Sequence, residues 1–96
     1  NDMINQGEEI KFTGTFEQKL GEQWSTITDL SEYVIDALIL NETMNRKFVF
    51  STLDSKNKIT VDNSKGTYTF SISPEQSASM VGECLLEVSL RNIDGI

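Results

Sequence analysis

Thr67-Tyr68-Thr69-Phe70-Ser71-Ile72-Ser73-Pro74-Glu75-Gln76 carries two structural signals back to back. From Thr67 to Ser73 apolar and polar side chains alternate: Tyr68, Phe70 and Ile72 share one face, and Thr67, Thr69 and Ser71 share the other. A period of two is the mark of a strand with one side against a core. The pattern then breaks. Ser73 suits a helix N-cap, Pro74 the first helical position, and Gln76 the third position, from which its side chain can return a hydrogen bond to the cap. These residues predict one short helix near 74–80, ended by Gly82 and serving as a crossover between two sheets.

The same period extends outward in both directions. Upstream, Glu9 to Phe16 reads as a strand with Ile10, Phe12 and Phe16 inward; Gly14 interrupts that face and predicts a bulge or a close backbone approach. Lys19-Leu20-Gly21-Glu22 reads as a turn, and Trp24 to Ile27 as a short strand. In Tyr33 to Leu40 the odd residues Tyr33, Ile35, Ala37 and Ile39 form an unbroken apolar face. Asp36 lies on the even face and belongs in water, so the odd face is the expected core side. Lys47 to Thr52 places Phe48 and Phe50 inward. Asp54-Ser55-Lys56-Asn57 reads as a hairpin turn into Lys58 to Val61, where Ile59 and Val61 point inward. Asp62-Asn63-Ser64-Lys65-Gly66 is a second turn. Downstream, Glu83 to Arg91 places Cys84, Leu86, Val88 and Leu90 inward. Asn92-Ile93-Asp94-Gly95 then reads as a hairpin turn with no strand after it. The expectation is either a natural chain that continues past Ile96 or a last strand supplied from elsewhere. The C-terminal edge is then open to strand addition or self-association.

Ninety-six residues predict a single domain spanning 1–96, with 1–6 as a flexible or pairing N-terminal arm. The five Phe, two Tyr and one Trp are the expected centre of its core. The net charge of −7, with no basic cluster, argues against nucleic acid as a partner. No apolar run is long enough to span a membrane, and Asn1 to Gln6 has none of the regions of a signal peptide. A leader removed before Asn1, or extra residues at Asn1 and Asp2, stay open. The lone Cys84 precludes an internal disulfide and lies on an inward face, as an inert buried thiol would.

Chemistry is sparse. Without His the chain lacks the commonest general base and metal ligand, and its many Ser and Thr have no base to form a triad. Gly7, Gly14, Gly21 and Gly66 are isolated and form no phosphate loop. Asp62 with Asn63 and Asp54 with Asn57 suggest calcium loops only weakly, because turn formation explains them equally well. Asn41-Glu42-Thr43 matches a glycosylation sequon, a triplet that also arises by chance. We therefore expect no catalytic residue, no cofactor and no metal ligand, and a non-enzymatic role.

The informative residues are apolar ones on the wrong face. Val34, Leu38 and Leu40 point outward on the most apolar strand, and Leu85 does so on the last one. If those strands share a sheet, the four form a partner interface. The alternatives are an inverted face assignment or cover from Met3-Ile4. Trp24 is the candidate stacking platform if the domain instead binds carbohydrate.

From Gly7 to Gly95 the order of elements is similar to a known group. A Gly7-Glu8-Glu9-Ile10-Lys11-Phe12 strand leads to Asp29-Leu30-Ser31-Glu32-Tyr33 and a long apolar strand. Ile59-Thr60-Val61-Asp62 follows, then Gly66 to Gln76, then a strand closing at Asp94-Gly95. This resembles the immunoglobulin-like β-sandwich modules of phage and prophage tail and baseplate proteins, including the N-terminal domain of siphophage upper baseplate proteins. The chain departs from that pattern at Ser79-Met80-Val81-Gly82-Glu83, where the family has an Ala-Leu-Pro-Ala-Gly-like approach, and in lacking a strand after Asp94-Gly95. The resemblance implies an all-β, antiparallel immunoglobulin-like sandwich of about seven strands. It further implies a structural module that docks neighbouring subunits, located in the virion or in the bacterial cytoplasm during assembly. The alternative is a ligand- or carbohydrate-binding module of a secreted or surface protein.

Overall fold

The computed structural model describes residues 2–3 and 7–94. Its described elements are β1 (Asp2–Met3), β2 (Ile10–Thr15), β3 (Glu17–Leu20), β4 (Gln23–Thr26), β5 (Tyr33–Asn41), β6 (Arg46–Ser51), β7 (Thr60–Asp62), β8 (Thr67–Ile72), α1 (Pro74–Ala78) and β9 (Glu83–Asn92). The fold is mostly β, with antiparallel strands in small sheets. One sheet runs β1-β9-β5-β6, a second runs β2-β8-β7, and among the described residues β3 pairs with β4 alone.

The alternating segments lie where their apolar faces can meet. Ile35, Ala37, Ile39 and Phe50 from the first sheet join Phe70 and Ile72 from the second, with Ile59, Met80 and Cys84, in one buried cluster. The Phe50 and Phe70 rings bridge the two sheets with centroids 5.1 Å apart, and Phe12 stacks on Phe70 at 5.2 Å. Aromatic pairs at this spacing add about 0.5–1.5 kcal/mol beyond the area they bury.

The helix forms as its residues dictate. Ser73 Oγ accepts from Gln76 N at 3.1 Å, and Gln76 Oε1 accepts from Ser73 N at 2.9 Å, closing a capping box with Pro74 in the first turn. Ser77, fully buried, donates its hydroxyl to Glu8 O at 2.6 Å and ties the crossover to the start of β2.

One open alternative is decided and three local expectations are corrected. Gly14 makes no bulge: β2 and β8 stay in continuous register with Gly14 opposite Tyr68, and a Cβ at Gly14 would run into the Tyr68 side chain. The sequence signal was therefore a close approach. Residues 54–57 do not close a hairpin, because β6 and β7 belong to different sheets. Asp54 still makes a tight turn, its Oδ1 accepting from Lys56 N at 2.7 Å and Asn57 N at 3.0 Å, but the chain then crosses to the second sheet. Lys19 and Leu20 are strand residues; the turn is confined to Gly21-Glu22, with Gly21 at φ +65. Trp24 does not join the core and is 64% exposed.

The predicted 62–66 turn does join β7 to β8. Asp62 Oδ1 accepts from Ser64 N at 2.9 Å and Ser64 Oγ at 2.6 Å, and Gly66 N donates to Asp62 O at 2.8 Å. Gly66 is buried at φ +72, and a Cβ there would strike Ile27 O. Of the N-terminal arm, Asp2 and Met3 pair with Cys84 and Glu83. The proposed cover from Ile4, and the Gly95 half of the last turn, lie outside the described residues.

Candidate functional site

The first sheet turns one face to the core and the other outward. β5 is central: it pairs with β6 from Asp36–Ser51 to Asn41–Arg46, and with β9 from Tyr33–Asn92 to Leu40–Leu85. On the outer face Leu40 lies directly opposite Leu85, and Leu38 sits between Glu87 and Val49. The two strands named from the sequence thus share a sheet, and Leu38, Leu40 and Leu85 share a face.

Position in the sheet decides how much of each side chain water reaches. Leu85 on β9 is 44% exposed and Val49 on β6 is 50% exposed, whereas Leu38 and Leu40 on the central strand are half-buried. Val34 is a correction: it is buried, not outward in water, at 1% exposure. It lies where flanking segments close on both sides of β5. Thr52 N donates to Ile35 O at 3.0 Å, and Ile93 N donates to Glu32 O at 2.9 Å. Val49 was missed by sequence reasoning. Its signal was present in the inward alternation of Phe48 and Phe50, which turns Val49 outward, but Val49 shares that outward row with Lys47 and Ser51, so no apolar outer row stood out.

Two shallow depressions mark this face. One, of about 280 Å³, is lined by Leu38, Val49, Lys47, Glu87, Asp36 and Ser89 among others. The other, of about 310 Å³, lies at the Leu40–Leu85 end and is rimmed by Glu42, Thr43 and Glu83. Asp36, expected in water, is held there by Arg91, whose Nε donates to Oδ2 at 2.8 Å. An exposed ion pair of this kind contributes roughly 0–1 kcal/mol and chiefly fixes orientation.

The sheet's two borders differ. At β6, Ser51 N donates to Asn57 O, Ile59 N donates to Ser51 O, and Asn57 Nδ2 donates to Val49 O, so the 57–59 segment covers part of that edge. At β9, among the described residues, only Glu83 and Cys84 have a further partner, in β1. Ile35 turns its carbonyl toward β6. By alternation the even residues of β5 bond β9, and Leu86, Val88 and Leu90 turn their amides and carbonyls to the open border.

Several other polar groups are taken up in hydrogen bonds within the chain. Asn41 is fully buried; its Nδ2 donates to Val81 O at 2.8 Å and approaches Cys84 Sγ at 3.3 Å, while Oδ1 accepts from Met44 N at 2.7 Å. The sequon asparagine thus has its amide committed inside the protein. Asp29, Asp54 and Asp62 are held below the ordinary carboxylate range by turn hydrogen bonds. The donors are Ser31 to Asp29, the Lys56 and Asn57 amides to Asp54, and the Ser64 hydroxyl and amide to Asp62. The loops weighed for calcium spend these oxygens on their own backbones, and no three acidic or cysteine side chains converge among the described residues. Cys84 is buried beside Met80 Sδ at 3.7 Å.

The hairpin of β3 and β4 is the second distinctive feature. Every residue from Glu17 to Thr26 is exposed, including Leu20 at 62%. At its root Ile27 N donates to Phe16 O at 2.8 Å, and Phe16 packs on Tyr68 with centroids 5.2 Å apart. No protein-family model, curated protein or solved structure matches this chain.

Proposed function

We propose that this chain is a non-enzymatic docking module of immunoglobulin-like architecture, serving assembly of a phage or prophage tail or baseplate. One observation carries the docking part: the outer face of the β9-β5-β6 sheet exposes Leu85 and Val49 around the half-buried Leu38 and Leu40. A contiguous apolar strip rimmed by Glu87, Lys47 and Arg91 has the composition of a protein interface, apolar at its centre and charged at its rim.

Strand order supports the architecture. The β2-β8-β7 order parallels strands B, E and D of an immunoglobulin layout, and β6-β5-β9 parallels C′, C and F. In that layout strand G lies beside F, which is the open border of β9. Strand addition there is the second way this module would take a neighbour. The phage assignment rests on the sequence resemblance, and a position among tail, tape-measure or head genes would bear on it directly.

Light scattering coupled to size exclusion, over a range of concentrations, tests the docking face. The wild type is expected to associate, and a Leu38→Glu, Leu40→Glu double variant to stay monomeric. Val49→Glu with Leu85→Glu repeats the test at exposed positions where folding is not at issue. A wild type that stays monomeric throughout overturns the reading. The exposed Trp24 favours a second reading, carbohydrate binding, which predicts that an oligosaccharide titration shifts indole emission.

A further inference from the structure

The β3–β4 hairpin displays apolar side chains that its own chain does not cover. Its register pairs Lys19 with Trp24 and Glu17 with Thr26, and neighbouring pairs alternate sides. Trp24, Lys19, Glu17 and Thr26 therefore form one face of the ribbon, and Leu20, Gln23, Gln18 and Ser25 form the other. The Trp24 face combines one large exposed aromatic with one cation and one anion.

The outer face of the four-stranded sheet offers the complement. Its depression of about 280 Å³ lies between Leu38 and Val49 and carries Glu87 on one side and Lys47 on the other. That volume accommodates a single large side chain, and an indole buries 150–250 Å² when enclosed. Lys19 and Glu17 would meet Glu87 and Lys47, pairing each charge with its opposite. The two surfaces do not meet within one copy, where Trp24 and Val49 are both exposed. The hairpin continues from β2 in the second sheet, and the depression is on the side of the first sheet that faces away from it.

We infer that the Trp24 face of the hairpin of one copy seats on the Leu38–Val49 face of another. The occupant of the docking face is thus a second copy of this chain, and the inference rests on that face being an interface at all. The contact uses different surfaces on its two sides, so it is head-to-tail. Repeated, it closes into a ring, of which a reciprocal pair is the smallest, or extends as a filament.

Complementation tests this directly. Trp24→Ser removes the hairpin's knob and leaves the face intact; Val49→Glu spoils the face and leaves the hairpin intact. Both residues are at least half exposed, and circular dichroism checks that each variant folds. Light scattering should show the wild type growing in mass with concentration and each variant alone monomeric. An equimolar mixture should give a 1:1 heterodimer and nothing larger, because only one competent interface remains. If Trp24→Ser associates like the wild type while Val49→Glu does not, the docking face stands and the hairpin inference falls. If the wild type never associates, both fall. If the mixture stays monomeric although the wild type assembles, the head-to-tail pairing is wrong.

Discussion

β5 and the β3–β4 hairpin are built from the same pleated backbone and end in opposite circumstances. β5 has neighbours on both sides and a second sheet beneath it, so even its outward Val34 loses contact with water. Among the described residues the hairpin strands pair only with each other, and every residue from Glu17 to Thr26 is exposed. A two-stranded ribbon is marginal in water on its own. This one keeps its shape through its root at Phe16 and Ile27 and through a two-residue turn whose Gly21 supplies the positive φ. The difference teaches that strand propensity places neither segment; the number of packed neighbours does. Substitutions should therefore cost much in the body and little in the hairpin, even where the local chemistry is the same.

The sharpest test sets two glycines against each other. Gly66 and Gly21 both have positive φ, at +72 and +65, so an alanine at either bears the left-handed cost of roughly 1–2 kcal/mol. At Gly21 nothing lies within 4 Å of the new methyl. At Gly66 it meets Ile27 O, with Thr28 Cα at 2.7 Å, and both are backbone atoms that cannot swing aside. Overpacking of this kind adds about 1–3 kcal/mol. Gly66→Ala should thus lower global stability by roughly 2–5 kcal/mol in urea denaturation, enough to threaten the folding of so small a domain. Gly21→Ala should leave the urea midpoint nearly unchanged and show its cost as faster amide exchange confined to 17–26. Equal midpoint shifts would erase the distinction between the two regions.

Asn41 offers an intermediate case, on the body side of the comparison. It ends β5, fully buried, and joins the Met44 turn to the 81–84 approach to β9. Asn41→Ala leaves Val81 O and Met44 N without those partners, and an unsatisfied buried group costs about 1–3 kcal/mol. A loss of roughly 2 kcal/mol is expected from chemical denaturation. A loss below about 0.5 kcal/mol would mean that the surrounding backbone is satisfied in other ways.

The period of two made the body legible in the sequence and left the hairpin obscure, for a single reason. Tyr68-Phe70-Ile72 and Tyr33-Ile35-Ala37-Ile39 alternate because a core lies on one side of them, and the structure brings Ile35, Ala37, Ile39, Phe70 and Ile72 into that core. Ser73-Pro74-Gln76 was equally readable, since a capping box is local chemistry. Glu17 to Thr26 faces no core on either side, so its sequence has no alternation to detect, and Trp24 was assigned to the interior by composition alone. The crossing at 54–59 was misread because Asp54 makes a turn whether the next strand returns to the same sheet or leaves for another. Leu38 and Leu40 were placed outward because Asp36 fixed which face of β5 was wet, and Leu85 because it alternates with the inward Cys84 and Leu86. Val34 shares that face and is nevertheless buried, because parity reports direction and not how closely neighbouring segments crowd a position.

The smallest expected effect is the most discriminating for the hairpin. Trp24→Ser removes the largest side chain in the protein, and an indole buried in the core would cost about 3–5 kcal/mol to lose. At 64% exposure and away from the core cluster, its removal from the monomer should change stability by less than about 0.5 kcal/mol. Because Trp24 is the chain's single tryptophan, its fluorescence reports on this site alone. In dilute monomer, iodide should quench it efficiently. If the head-to-tail contact forms as concentration rises, quenching should fall in step with the growth in mass. Quenching that stays high in the assembled state would show an indole still in water, and the hairpin would then be a projection with no seat on its neighbour.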